Sequence, residues 1–196
     1  MKKIILTSLI AIMAISQMFG MSSSKIRNHA RFLSDRMAYE LDLTPRQYDD
    51  IYEINVDFLW AINDIMDDVV FGYRDAIDRY YDLLDYRNDD LRYVLSLRQY
   101  QMFMSKEHFY RPVYSTGFGW NLRIYTIYSN STFFYFDAPS IFKTYRGAHS
   151  HHTYGIGYYS SRYGHQAHDR YMDSYKFREQ HNHKDLGHKD FGKNLR

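Results

Sequence analysis

The side chains best suited to chemistry in this chain are histidines, and they crowd toward one end. Eight of the ten, His149, His151, His152, His165, His168, His181, His183 and His188, lie in residues 149–188. Neutral imidazoles one to three positions apart can share a zinc, nickel or copper ion. The spacing fixes no ligand geometry, however, and the same composition describes a solvated low-complexity tail. Both readings stand at this level, so a divalent transition metal is the one cofactor the sequence suggests.

A second collection is acidic. Residues 49–90 hold 13 Asp and Glu against 3 Arg, a balance of −10, whereas residues 91–196 hold 15 Lys and Arg against 7 acids, a balance of +8. The acidic stretch would attract a basic client or a cation, or would form the wet side of an amphipathic helix. Asp64, Asp67 and Asp68 do not have the spacing of a calcium-binding loop. Met102, Met104 and His108 could offer soft ligands to copper, but a Met-rich core seam explains them better. With no cysteine, thiol catalysis and Cys-based zinc sites are excluded. No nucleophile elbow, phosphate-binding glycine loop or His-Glu-x-x-His is present, and no enzyme is expected. Nor is nucleic acid an expected partner, because the basic excess lies partly in the tail of a chain that reads as exported.

The elements that would position these groups begin with an export signal. Residues 1–20 read MKKIILTSLIAIMAISQMFG: two lysines, an apolar run, then Ala14-Ile15-Ser16, which places the cleavage boundary between residues 16 and 20. The run is shorter than the roughly 20 residues needed to span a bilayer. A periplasmic location is expected, with the cell surface as the alternative and no membrane span after signal removal.

Ile26, Ala30, Leu33, Met37 and Leu41 recur at helical spacing, which predicts a helix over 25–41 that stops before Pro45. LTPRQY, beginning at Leu43, then returns as LSLRQY at Leu95, 52 positions later. Each copy has the parts of a helix start. Thr44 and Ser96 can accept from the backbone N–H of Gln47 and Gln99, the two glutamines can reach back, and Leu43 with Tyr48, or Leu95 with Tyr100, can form a staple. Pro45 sits where its missing N–H costs nothing. A long amphipathic stripe (Ile51, Ile54, Phe58, Ile62, Ile65, Val69, then Tyr73 to Leu84) follows the first start, with Gly72 as a kink or break. Asn88-Asp89-Asp90 is read as a short helix start, and the second capped helix should carry Met102, Phe103 and Phe109 up to Pro112. The fold class is therefore mainly α: an elongated antiparallel helical hairpin or bundle over residues 25–110. Residues 111–145 are aromatic and suggest a β-hairpin pairing 120–128 with 132–136 around Ser129-Asn130-Ser131. Residues 146–196, rich in His, Tyr and Gly, read as poorly ordered alone.

A Leu-Thr-x-x-Gln motif written twice about fifty residues apart in a small exported helical protein resembles the Spy/CpxP family of bacterial periplasmic proteins, over residues 25–110. Leu43-Thr44-Pro45-Arg46-Gln47 fits the motif fully, and Leu95-Ser96-Leu97-Arg98-Gln99 has Ser for Thr. The resemblance implies a cradle-shaped, often dimeric hairpin that holds non-native proteins without ATP, or a stress-linked relative. The motif residues Thr44, Gln47, Ser96 and Gln99 would be structural. Apolar residues left outside the core, with Phe58, Trp60, Tyr80 and Phe103 as candidates, would contact clients. Part of the apolar stripe is expected to stay open or to be closed by a second copy, and basic clients are expected to be favoured at low salt. The alternatives are a metal-binding envelope protein using the His-rich tail, or a structural protein that assembles through its aromatic half.

Overall fold

In the computed structural model, residues 20–116, 119–151 and 158–163 are described. The chain is mainly helical with one small antiparallel sheet. Helix α1 (Ser23–Leu41) starts where the Ser22 hydroxyl accepts from Lys25 N and ends at Asp42, which closes it in the left-handed region at φ 52°. All five residues of the expected stripe, from Ile26 to Leu41, are buried. Helix α2 (Pro45–Asn63) returns antiparallel, and the Met21 N–H donates to Asn63 Oδ1 at 2.7 Å to tie the two open ends.

The long stripe is not one helix. Helix α2 ends at Asn63, and α3 (Met66–Val70) adds a single turn and a half before Gly72 turns the chain at φ 83°. That conformation costs glycine little, and it reverses the stripe into α4 (Arg74–Val94), so residues 73–84 pack back beside α2 and α3. Asn88, Asp89 and Asp90 lie inside α4 and start nothing. The second capped helix is also broken, into α5 (Leu97–Met104) and α6 (Glu107–Tyr110), with Phe103 and Phe109 both fully buried.

The sheet is real but differs in its members from the expected hairpin. Strand β1 (Val113–Ser115) pairs with β2 (Trp120–Leu122) in the register Val113↔Leu122, and residues 124–127 form a helical turn, α7 (Ile124–Ile127). Residues 132–136 do not pair as a strand because their backbone groups are taken by α1. The N–H groups of Tyr135 and Phe136 donate to the Asp35 carboxylate at 3.1 and 2.9 Å, and the Phe133 carbonyl accepts from Arg36 at 2.8 Å. A last helix, α8 (Tyr158–Arg162), packs on α4.

Helix α2 is the axis of the molecule, with every residue from Asp50 to Val56 buried. Such all-round burial needs cover on both sides. Helices α1 and α4 supply one side, and residues from the second half of the chain supply the other. The reversal at Gly72 buries much of the apolar stripe, the second half covers the acidic side of α2, and part of the stripe stays open as expected, with Tyr73 62% exposed. Among the described residues no helix is long and apolar enough to cross a membrane.

Candidate functional site

The two repeated motifs meet in space. Both capping boxes are formed, with Thr44 accepting from Gln47 N and Ser96 from Gln99 N, while each glutamine Oε1 accepts from its cap residue's backbone N–H at 3.0 and 2.9 Å. The amide groups left over face each other: Gln47 Nε2 donates to Gln99 Oε1 at 2.8 Å and Gln99 Nε2 to Gln47 Oε1 at 3.3 Å. Gln47 Nε2 also reaches the Val94 carbonyl, and Gln99 Nε2 the Asp42 carbonyl, at the ends of the preceding helices. Tyr48, Leu95 and Tyr100 are buried, and Leu43 packs on the core. Each copy thus starts one helix and stops another, and the pair forms a clasp.

Beside the clasp runs a ladder of acids on α2, and its partners come from far along the chain. Asp49 accepts from Ser140 N and Oγ, at 2.8 and 2.5 Å. Asp50 accepts from Arg162 Nε at 2.8 Å and the Tyr163 hydroxyl at 2.5 Å. Glu53 faces His149 Nδ1 at 2.5 Å and takes the Tyr159 hydroxyl at 3.1 Å. Asp57 takes the Tyr145 hydroxyl at 2.5 Å, and on α4 Asp90 faces His151 Nδ1 at 2.7 Å. Asp50, Glu53 and Asp90 are buried, and burial pushes Asp57 up to about 7 and Asp90 up to about 6, with Glu53 also raised. Burial likewise raises the tyrosines that donate to them, Tyr145, Tyr159 and Tyr163. Part of the acidic face is therefore interior, while Asp64, Asp68, Asp75, Asp78 and Asp82 remain exposed.

Two of the eight histidines, His149 and His151, are thereby committed to carboxylates. Among the described residues no group of three or more potential ligands gathers as a metal site. His152, His165, His168, His181, His183 and His188 lie outside the described residues, as do residues 1–19, where the export signal is expected. His108 faces Glu40 at 3.5 Å, and Met102 and Met104 pack on the core, which fits a core seam.

The proposed client contacts are corrected by burial. Phe58, Tyr80 and Phe103 are 4%, 2% and 0% exposed: the reversal at Gly72 brings Tyr80 against Phe58, and Phe103 packs near the Arg87 guanidinium. Trp60 is half-buried under the Arg27 guanidinium, 5.4 Å from its ring. Exposed aromatic surface occurs instead where the 133–136 segment meets α1. Tyr39, Phe133, Tyr135 and Phe136 are 54%, 50%, 38% and 44% exposed. Tyr39 stacks on Tyr135 with ring centroids 3.8 Å apart, and Phe133 meets Tyr135 edge-on at 5.0 Å. Underneath, Arg36 is buried against Asp35 and lies 4.3 to 5.8 Å from the rings of Phe32, Tyr128, Tyr135 and Phe133. The rings form a ledge held by a cation below and by Asp35 at the backbone. Sequence reasoning missed it because Asp35 and Arg36 lie about 100 residues from the segment they hold.

A separate cleft of about 850 Å³ opens on the flank formed by α2, α4 and residues 146–151. Its walls are Phe58, Trp60, Ile65, Leu83 and Tyr86, with Asp57, Asp90 and His151 among its polar lining. The spacing of Asp50, Glu53 and Asp57 was the one available signal for this region, since it places all three on one helical face. The chain matches no family model, no curated protein and no solved structure.

Proposed function

We propose that the protein is an exported helical binding protein of the Spy/CpxP kind, acting in the periplasm, and that it holds non-native proteins without ATP on the ledge of Tyr39, Phe133, Tyr135 and Phe136. The observation that supports this reading is the ledge itself. Tyr39 of α1 and Phe133, Tyr135 and Phe136 of the segment that α1 holds are all exposed, with the Arg36 guanidinium against the rings of Phe133 and Tyr135. Contiguous exposed apolar surface of this kind marks protein interaction sites, and rigid aromatics gain contact area at little entropic cost. An unfolding client offers the complementary chemistry: apolar segments that would otherwise meet one another.

The test is light scattering from a chemically denatured client with and without stoichiometric mature protein and no nucleotide. The protein should suppress aggregation, and a Phe133→Ser/Tyr135→Ser/Phe136→Ser variant should lose that suppression while keeping its helical circular dichroism. Suppression that survives the triple change would move the activity off the ledge. No suppression by the parent chain would overturn the holding function.

A further inference from the structure

The flank cleft contains two polar atoms that the fold leaves without partners. Asp57 Oδ2 takes the Tyr145 hydroxyl, but Oδ1 is buried and unbonded. His151 Nδ1 faces Asp90 at 2.7 Å, but Nε2 is likewise buried and unbonded, while the imidazole stacks on Tyr86 with centroids 4.8 Å apart and planes 9° apart. Buried polar atoms are rarely left unpaired, and an orphan pair lining one cleft points to a ligand that completes them.

The chemistry of the lining narrows that ligand. Of the cations lining the cleft, Arg79 is exposed, Arg87 spends donors inward on Asn55, Asn88 and the Phe109 carbonyl, and Arg146 spends Nη1 on the Lys143 and Tyr145 carbonyls. None bonds the free oxygen of Asp57. Asp57 also lies in the field of Glu53 and Asp90, so a donor carrying positive charge gains more there than a neutral one. Around these groups the walls are aromatic and aliphatic: Phe58, Trp60, Ile65, Leu83 and Tyr86. Gly147, at φ 81°, lets residues 146–151 close over this point; a Cβ there would lie 3.6 Å from Asp57 Oδ1 and 3.9 Å from the Trp60 ring. A volume of about 850 Å³ suits a small molecule and not a folded partner.

We propose that the cleft is a binding site for a small organic amine: an ammonium on Asp57 Oδ1, with an aromatic or branched aliphatic body between Trp60 and Tyr86. The ammonium completes the carboxylate, and the rings add stacking and cation–π attraction. This site is separate from the ledge and does not depend on the holding activity.

Calorimetric titration of the full mature chain at pH 8 with phenethylamine, phenethyl alcohol and phenylacetate tests the proposal. Phenethylamine should bind at least tenfold more tightly than the alcohol, and phenylacetate should not bind. Because Asp57, which is held near 7 by burial, takes up a proton as pH falls, amine affinity should drop at least fivefold between pH 8 and pH 5. The charged and titratable groups around it are Glu53 on α2 and Asp64 at its end, Arg79, Arg87 and Asp90 on α4, and Tyr145, Arg146 and His151 on the covering segment. Asp57→Asn should abolish the preference of amine over alcohol. Equal binding of amine and alcohol by the parent chain, or an unchanged preference in the variant, would overturn the assignment. The comparison among three probes on the parent chain needs no variant to fold.

Discussion

The helices of residues 23–110 and the irregular chain of residues 123–151 and 158–163 are held by different physics. The first half is assembled by apolar stripes whose period is visible in sequence, around a buried polar hub. Arg87 Nε donates to Asn55 Oδ1 at 2.9 Å, Asn55 Nδ2 donates to Ser34 Oγ at 2.8 Å, and Arg87 Nη1 reaches the Phe109 carbonyl, so one guanidinium links α1, α2, α4 and α6. The second half has little regular structure beyond short helical turns and docks by hydroxyl, imidazole and backbone donors on carboxylates already fixed to α1, α2 and α4. One region is stabilised by area and the other by directed bonds to buried charge. The contrast teaches that an acidic helix face need not be the wet one, provided enough donors arrive from elsewhere.

The largest effect should come from the hub. Replacing Arg87 by Met leaves Asn55 Oδ1 and the Phe109 carbonyl buried and unpaired, and should cost about 3–5 kcal/mol in urea melts. Because the hub fixes α2, both halves should be lost in one transition. A cost below about 1 kcal/mol would show that the hub is dispensable.

The docked half should instead weaken with rising pH. Asp57 and Asp90 have folded values, about 7 and about 6, above their ordinary 3.8, so the folded chain holds more protons. Their contribution is fully present below about 4 and lost as pH rises through 6 and 7. Asp57→Asn, which keeps an acceptor for Tyr145, should raise stability by about 2–4 kcal/mol at pH 8 and little at pH 4. Parallel melts of parent and variant across that range would measure it. A pH-independent difference would break the contrast between the two halves.

On the α1 side the sign reverses. His29, whose Nδ1 lies 2.6 Å from the Tyr125 hydroxyl, is held down to about 4 by burial and then by Lys25. Its folded value is below the ordinary 6.5, so its contribution is complete above pH 6.5 and is lost as pH falls toward 4, about 3 kcal/mol in all. NMR titration of the His29 ring should show a midpoint well below 6, and a midpoint near 6.5 would contradict the burial.

The smallest effect concerns the clasp. Thr44→Ala or Ser96→Ala should each cost about 0.5–2 kcal/mol, as for the loss of any cap. Gln47→Ala and Gln99→Ala should in addition couple by about 0.5–1 kcal/mol in a double-mutant cycle, because their amides bond each other. Strict additivity would mean that the two motifs act as independent helix starts.

By itself the sequence determined the local devices. Both capping boxes, the helix stop before Pro45, the five buried residues of α1 and the mainly helical class follow from spacing and side-chain type, because those preferences act over three or four residues. Helix breaks were less legible: Asn63 to Ile65 carries no glycine or proline, and the chain ends α2 there only because α3 and α4 must pack back. What only the tertiary structure decided is which charges are interior. Asp50, Glu53, Asp57 and Asp90 share their residue types with exposed Asp75, Asp78 and Asp82, and nothing in their immediate neighbours separates the two groups. Their donors, Tyr145, His149, His151, Tyr159, Arg162 and Tyr163, lie 61 to 113 residues away in a stretch without periodicity. A hydrogen bond to a buried carboxylate depends on where its donor ends up in space, and that is settled only when the whole chain has packed.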